Sequence, residues 1–410
     1  MTKVLGQQER PHVAMAIQGL HGTSGGAERV FVDVANGLHR RGFRVTVLTY
    51  QALNGTPFYP LDYGIARFDG RPRHAAGSGR SLADPLAGVS RRHRAVAVAT
   101  WLATYAPKVL RYRRLLRLAR PDLAIGFLPS TFPYLTLAAT GSGVKTIASL
   151  HNVPDRDLGG DPERWDQNPV DIAMRRRSLA TADATTVLLP SFVEQLPPDV
   201  RAKASVIPNM IHPYGGEPAD VSDDDDDNTI LAVGRLAPAK DHATLLRAWA
   251  LLEPSNPRWR LRIIGTGPLR ADLESLIVDR QLERVTIDEP TAHIEDAYTS
   301  SKFVAMSSSY EGFGLVTAEA MACGVPVVGF ADCEGTNEIV IDGENGLLVD
   351  PGTDRVEAFA TAMQRLIDDE PERRRLARQA PSTVAGFRPD AIIDAWEDLL
   401  LRVHRGRPGR

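Results

Sequence analysis

The chain has 410 residues, 43% of them hydrophobic and 24% charged, and carries a net charge of −3. That length exceeds one ordinary core and predicts two or three domains, while the near-neutral balance argues against a nucleic-acid protein, which carries a large positive excess. The two cysteines, Cys323 and Cys333, are too few for a disulfide framework and lack the Cys/His company of a zinc site, so a reducing, cytoplasmic compartment is expected. Residues 1–10 have no apolar core after a basic flank and do not read as a signal peptide.

Apolar, β-rich runs recur in chain order, each followed by a turn and a helical pattern. In the first half they are Val13–Ile17, Val45–Thr49, Leu123–Phe127, Thr146–Leu150, Thr185–Leu189 and Ser205–Ile207. In the second half they are Ile230–Val233, Leu261–Ile264, Val285–Ile287, Phe303–Met306 and Val325–Phe330. Short continuous apolar runs alternating with helices predict parallel sheets covered on both faces. Two such series predict an α/β chain of two Rossmann-like, doubly wound domains, over residues 1–212 and 229–386. Residues 213–228 read as the linker, because Pro213, Gly215, Gly216 and Pro218 lead into the carboxylate run Asp223–Asp227. Five adjacent carboxylates repel one another, and no other ligand type stands nearby, so a solvated segment is expected in preference to a metal site.

Two further segments ask for a decision. Leu123–Val144 contains no charge, but Gly126, Pro129, Pro133, Gly141 and Gly143 break it into strand, loop and short helix instead of a membrane span. Arg67–Arg120 carries thirteen Lys/Arg against two acids. Its last part puts Val109, Leu115, Leu116 and Ala119 on one helical stripe, which predicts a helix covering the sheet with solvated arginines. A peripheral contact of the same helix with anionic membrane is compatible with that reading.

The richest chemistry lies at Glu311-Gly312-Phe313-Gly314-Leu315, which follows an apolar strand and opens a helix. Glycines let backbone approach a ligand, and the helix start offers unpaired N–H groups suited to phosphate. Glu311 and Glu319 are eight residues apart, about 12 Å along an ideal helix, too far for the ~5 Å carboxylate pair of a retaining glycosidase. Glu319 stands among Ala318, Ala320, Met321 and Ala322, where an unpaired carboxylate is costly. Asp155 and Asp157 form an Asp-x-Asp triplet of the kind that arises by chance in any Asp-rich chain, and no metal site is assigned to them.

This segment resembles the Glu-x7-Glu motif of the family 4 glycosyltransferases, retaining enzymes of the GT-B fold with two Rossmann-like domains facing across a cleft. Gly234-Arg235-Leu236 through Lys240 resembles the family's Gly-Arg-Leu-x-x-x-Lys element, in which Arg and Lys bind the donor's diphosphate. Gly25-Gly26-Ala27-Glu28 is similar to its Gly-rich loop after the first strand. His151 follows a strand where members place a His beside the reacting sugar; on its own a His there reads as a structural hydrogen-bonding residue. Ile207-Pro208-Asn209 resembles an interdomain motif with Met210 in place of its glycine, and Gly335-Thr336-Asn337-Glu338-Ile339 a sugar-side loop without its proline. The tail Phe387–Trp396 looks like the last helix, about 387–403, which in the family returns to the first domain.

The resemblance implies hexosyl transfer, with retention and without cofactor or metal, from a nucleotide-diphosphate sugar to a hydroxyl acceptor. UDP is favoured and GDP is next. It assigns catalytic roles to His151, Arg235, Lys240 and Glu311. Donor-binding roles fall on Gly25, Gly26, Gly234, Arg235, Lys240, Glu311, Gly312, Phe313, Gly314, Leu315 and Glu319, and an interdomain role on Asn209. The basic first domain suggests a lipid-linked or anionic acceptor, as in envelope polysaccharide or glycolipid assembly. A nucleotide-sugar epimerase of the same fold and a natural-product glycosyltransferase are the rival readings.

Overall fold

A strand covered on both faces has no side on which to show polar residues, and all six residues of His12–Ile17 are buried. In the computed structural model of the protein, described for residues 10–21, 25–51, 55–70, 94–160, 168–223 and 228–406, this strand β1 lies inside a seven-stranded sheet. The others are β2 (Arg44–Thr49), β3 (Ala66–Asp69), β4 (Leu123–Phe127), β5 (Lys145–Ser149), β6 (Ala184–Val187) and β7 (Ala204–Val206). Their order is β3-β2-β1-β4-β5-β6-β7. A second sheet holds β8 (Asn228–Val233), β9 (Trp259–Ile264), β10 (Val285–Asp288), β11 (Phe303–Met306), β12 (Val327–Phe330) and β13 (Gly346–Val349), in the order β10-β9-β8-β11-β12-β13.

Every neighbouring pair is parallel, with Ala14 opposite Thr46 and Ala124 in the first sheet and Leu231 opposite Arg262 and Val304 in the second. Each sheet therefore has one place where the strand order reverses, β1/β4 and β8/β11. In open α/β sheets the carboxyl ends of the strands at that place form the ligand crevice.

The helices that concern the sites are α1 (Gly26–Arg40), α2 (Arg94–Ala119), α3 (Phe132–Ala139), α4 (Pro169–Thr181), α5 (His242–Leu252), α6 (Leu315–Ala322) and α7 (Pro389–His404). Ala14, Leu48, Tyr112, Leu116 and Leu135 share one core cluster; Trp249, Leu261, Phe303, Phe330 and Met363 share another. The chain divides accordingly into two compact units. Residues to Pro208 together with Asp390–Arg410 form the first, and Asn209–Pro389 the second. Within the first unit Trp396 of α7 stacks on Phe127 at 6.0 Å, and Arg41 meets Asp394 at 2.6 Å.

The described residues of the expected linker belong to the second unit. Ala219 N–H donates to the Cys323 carbonyl at 2.9 Å, Arg373 Nε to the Val221 carbonyl at 2.8 Å, and Asp223 pairs with Arg373. The rest of the acidic run, 224–227, lies outside the described residues, as do 71–93 of the basic segment.

Two strands, β3 and β13, escaped the sequence pattern. Both are four-residue edge strands, and β3 carries Arg67 and Asp69, so the continuous apolar run is missing. Leu123–Val144 resolves into β4, a loop and the eight-residue α3. Among the described residues no helix is long and apolar enough to cross a membrane. In α2, Leu115, Leu116 and Ala119 are buried and Val109 packs against them, so the expected stripe covers the sheet.

Candidate functional site

At the carboxyl end of β8 the chain turns through Gly234 to Lys240. Two glycines after β9 hold that turn. Gly234 N–H donates to the Ile264 carbonyl and Leu236 N–H to the Thr266 carbonyl, each at 3.0 Å. A Cβ on Gly265 would stand 1.9 Å from the Gly234 carbonyl oxygen, and one on Gly267 2.3 Å from that of Leu236. Only glycine fits either place. The turn leaves Arg235 exposed, its carbonyl accepting from Ala237 N–H at 2.8 Å and its guanidinium without a hydrogen bond or ion pair among the described residues. The Lys240 stem folds back on Gly234, where a Cβ would stand 3.3 Å from its Cε.

Three serines follow the adjacent strand β11, and two of them tie into this turn. Ser307 Oγ donates to the Lys240 carbonyl at 2.9 Å, and Ser309 N–H to the Ala239 carbonyl at 2.9 Å. Lys240 Nζ then donates to Glu311 Oε1 at 2.5 Å, and Ser308 Oγ to the same oxygen at 2.7 Å. Glu311 is fixed from behind as well: its N–H donates to the Glu334 carbonyl at 2.7 Å. Gly335, at φ +90°, passes so near that a Cβ would stand 2.5 Å from the Glu311 carbonyl oxygen. The two charged side chains are 21% and 11% exposed, enough to meet a ligand while most of the competing water is excluded. A charge-assisted bond in such surroundings is strong, and deleting one partner strands the other.

Beyond Glu311, Phe313 is buried edge-on against Phe387 at 5.1 Å, and Gly314, at φ +83°, starts α6. Leu315 is the first helical residue, and no side chain caps the helix, so the N–H groups of the first turn lack the usual internal acceptors. The sequence pattern puts Glu319 in apolar surroundings. It is in fact half-buried, and the buried Tyr298 hydroxyl donates to its Oε2 at 3.2 Å. His242 at the start of α5 is buried; burial first, and Lys240 second, hold its pKa down at about 4. It stays a neutral ring beside the basic turn.

The remaining candidates belong to the first unit, apart from Asn209. Gly25 and Gly26 are exposed at the start of α1, and Arg29 N–H donates to the Gly25 carbonyl at 3.2 Å. His151, just past β5, stacks on Phe127 at 4.5 Å, with its Nε2 2.9 Å from Ser149 Oγ. Asn209, the first residue of the second unit, is buried, and its Oδ1 has no hydrogen-bond partner among the described residues. Asp155 is exposed, whereas Asp157 is buried and accepts from Asn152 Nδ2 at 3.1 Å. Among the described residues no three His, Cys, Asp or Glu side chains gather as a metal site. Both cysteines are free and buried, and burial raises their thiols to about 12 at Cys323 and about 11 at Cys333.

Near the β1/β4 reversal lies a cluster that the sequence did not announce. Lys108 of α2 is buried, donates to Gln18 Oε1 and the Ser130 carbonyl, and lies 4.7 Å from the Tyr134 ring centre. Burial lowers its pKa to about 7, partly offset by Asp171. That carboxylate takes hydrogen bonds from Tyr134 at 2.7 Å and Arg175 at 2.6 Å.

The site thus brings together Gly234, Lys240 and Glu311, with Arg235 on the same turn and Glu319 on the helix just beyond. Sequence reasoning missed Gly265, Gly267, Ser308 and Tyr298. The glycine pair had a visible signal, Gly265-Thr266-Gly267 directly after an apolar strand; the other two needed the tertiary contacts.

Residues 24–213 match the model of glycosyltransferase family 4, and residues 217–383 that of glycosyl transferases group 1. The chain belongs to the family 4 glycosyltransferases. Over 308 residues this family 4 chain is 31% identical to an exopolysaccharide phosphotransferase of Streptomyces coelicolor, covering 74% of the chain and 31% of that protein. Over 192 residues it is 37% identical to a D-inositol 3-phosphate glycosyltransferase of Rhodococcus opacus, covering 44% of the chain and 41% of that protein. The chain therefore spans less than half the length of these curated relatives. Its fold matches sucrose-phosphate synthase from Thermosynechococcus elongatus with a TM-score of 0.78 and 20% identity, over 97% of this chain and 100% of that one. It also matches Anabaena HepE in complex with UDP and glucose, with a TM-score of 0.70 and 18% identity, over 96% and 100%. The fold class is GT-B, each unit of this chain being Rossmann-like.

Proposed function

We propose that the chain transfers a hexosyl group from a UDP-sugar, or next a GDP-sugar, to a hydroxyl acceptor with retention and without a metal ion. The observation that carries this reading is the Lys240–Glu311 pair beside the unpartnered Arg235, at the carboxyl ends of the two strands flanking the β8/β11 reversal. Departure of a nucleoside diphosphate develops negative charge on its β-phosphate. Arg235, Lys240 and the first N–H groups of α6 are the groups that meet it. Glu311, already fixed by Ser308 and the Glu334–Gly335 backbone, accepts from a hydroxyl of the transferred sugar, and Glu319 from a hydroxyl at the other end of the donor. His151 positions a sugar hydroxyl and does not act as nucleophile; Gly25 and Gly26 offer backbone N–H groups to the phosphates. The acceptor hydroxyl attacks on the face the diphosphate leaves. The inositol phosphate named for the Rhodococcus relative and the exopolysaccharide named for the Streptomyces one support a polar acceptor; envelope polysaccharide or glycolipid assembly and a cytoplasmic location of the chain are part of the same proposal.

A panel of UDP- and GDP-sugars, with and without sugar, inositol phosphate and lipid-linked acceptors, tests the reading. The expected result is acceptor-dependent release of a nucleoside diphosphate, undiminished by a chelator, with the donor's anomeric configuration kept in the product by NMR. Release of a nucleoside monophosphate would instead mean sugar-phosphate transfer, as the Streptomyces relative's name suggests. Rapid formation of a 2-epimer from donor alone would mean an epimerase.

A further inference from the structure

The carboxyl half of α2 has a second side that the sheet does not use. Residues 94–120 contain no Asp or Glu. Arg113, Arg114, Arg117 and Arg120 are all exposed, and none enters an ion pair among the described residues. Between them Leu110 and Leu118 stand 67% and 60% exposed. Counted from Leu110, the residues Arg114, Arg117 and Leu118 fall within about 100° of one side of the helix. A solvated helix face ordinarily mixes both signs and keeps leucine off the surface. This one carries charge of a single sign, interleaved with apolar side chains.

Beside it is a cavity of about 490 Å³, lined by Arg113, Arg117 and Arg120 on one wall and by Gly141, Ser142 and Val144 on the other. It opens at the amino ends of β4 and β5, the edge of the sheet opposite the carboxyl end that carries His151.

We propose that this face of α2 docks the first unit on an anionic lipid bilayer. Leu110 and Leu118 enter the headgroup boundary, while Arg113, Arg114 and Arg117 meet lipid phosphates and the cavity takes one of them. The exposed leucines favour lipid over nucleic acid, for which arginines would stand alone or with stacking aromatics. Docking through this edge leaves the carboxyl ends of the strands uncovered, so an acceptor held in the membrane and the site residues are not in competition for one surface.

The test is co-sedimentation of the full chain with vesicles of phosphatidylcholine alone and of phosphatidylcholine with about a third phosphatidylglycerol. Partition is expected onto the anionic vesicles only, and should be lost when salt rises from about 0.1 M to about 1 M and the screening length shrinks from about 10 Å to about 3 Å. Arg113→Gln/Arg114→Gln/Arg117→Gln should weaken partition about tenfold or more. Independently, Leu110→Ser/Leu118→Ser should weaken it without changing the salt dependence. All five side chains are exposed, so unfolding is not expected, and circular dichroism checks it. No partition by the unmodified chain, equal partition onto both vesicles, or unchanged partition of both variants overturns the proposal. Retention by an RNA without partition onto vesicles overturns it too and assigns the face to nucleic acid.

Discussion

The two reversal points of the sheets are built from opposite materials. At β8/β11 the charged groups are held by backbone, on turns clasped by Gly265, Gly267 and Gly335, and stay within reach of solvent. At β1/β4 the cation is sequestered: Lys108 is buried among Tyr50, Tyr134 and Gln18, and the ring past the neighbouring strand, His151, leans on Phe127. A departing diphosphate needs fixed charge that it can touch, whereas a hydroxyl acceptor needs shape and single hydrogen bonds. Under the proposed function the first arrangement suits the diphosphate and the second the acceptor, one fold holding both by changing the loops at the ends of its strands.

Breaking the backbone clasp should have the largest effect. Gly265→Ala puts a methyl into the Gly234 carbonyl, and overpacking of this kind costs about 3 kcal/mol; it should lower the Tm and abolish donor binding together. Next, acid should loosen the second unit. His242 is held at about 4 against an ordinary 6.5, so between those values the unfolded chain binds more protons than the folded one. Stability is complete above 6.5 and is lost as pH falls towards 4, by up to about 3 kcal/mol at 1.36 kcal/mol per unit. Urea titrations from pH 7 to pH 4 should show that slope, and His242→Gln should flatten it.

His151→Ala should reduce kcat about a hundredfold while UDP affinity, read by calorimetry, stays put; equal loss of both would place His151 on the nucleotide. The smallest effect is expected for Ser308→Ala, which removes one of two donors on Glu311 and should cost about 1 kcal/mol, read as a KM increase of a few fold.

Much of the fold was legible because buried parallel strands leave an apolar run that no loop imitates. The runs at Val13–Ile17 and Ile230–Val233 fall inside the central strands β1 and β8. The edge strand β3 was not legible because Arg67 and Asp69 interrupt its apolar pattern, and β13 because its apolar run, Leu347–Val349, is only three residues long. Of the site, Arg235, Lys240 and Glu311 were readable from a resemblance in their motifs and from the phosphate logic of a Gly-rich turn. Their contacts were not, because Lys240 and Glu311 are 71 residues apart in the chain. Ser308 and Tyr298 act as hydrogen-bond donors to carboxylates, and serine or tyrosine in a sequence carries no mark of that role. The helical neighbours of Glu319 are apolar, as its segment reads, but the donor that meets its carboxylate was out of sight because Tyr298 comes from another helix.

Everything proposed for the second unit depends on its grip on the donor's diphosphate through Arg235 and Lys240. That grip is measured by UDP binding in a calorimeter and by nucleoside-diphosphate release, for the unmodified chain, Arg235→Ala and Lys240→Ala. Each substitution should lower kcat by about 10²–10³-fold and weaken UDP, with circular dichroism unchanged. UDP affinity and turnover unaffected by either substitution would contradict it.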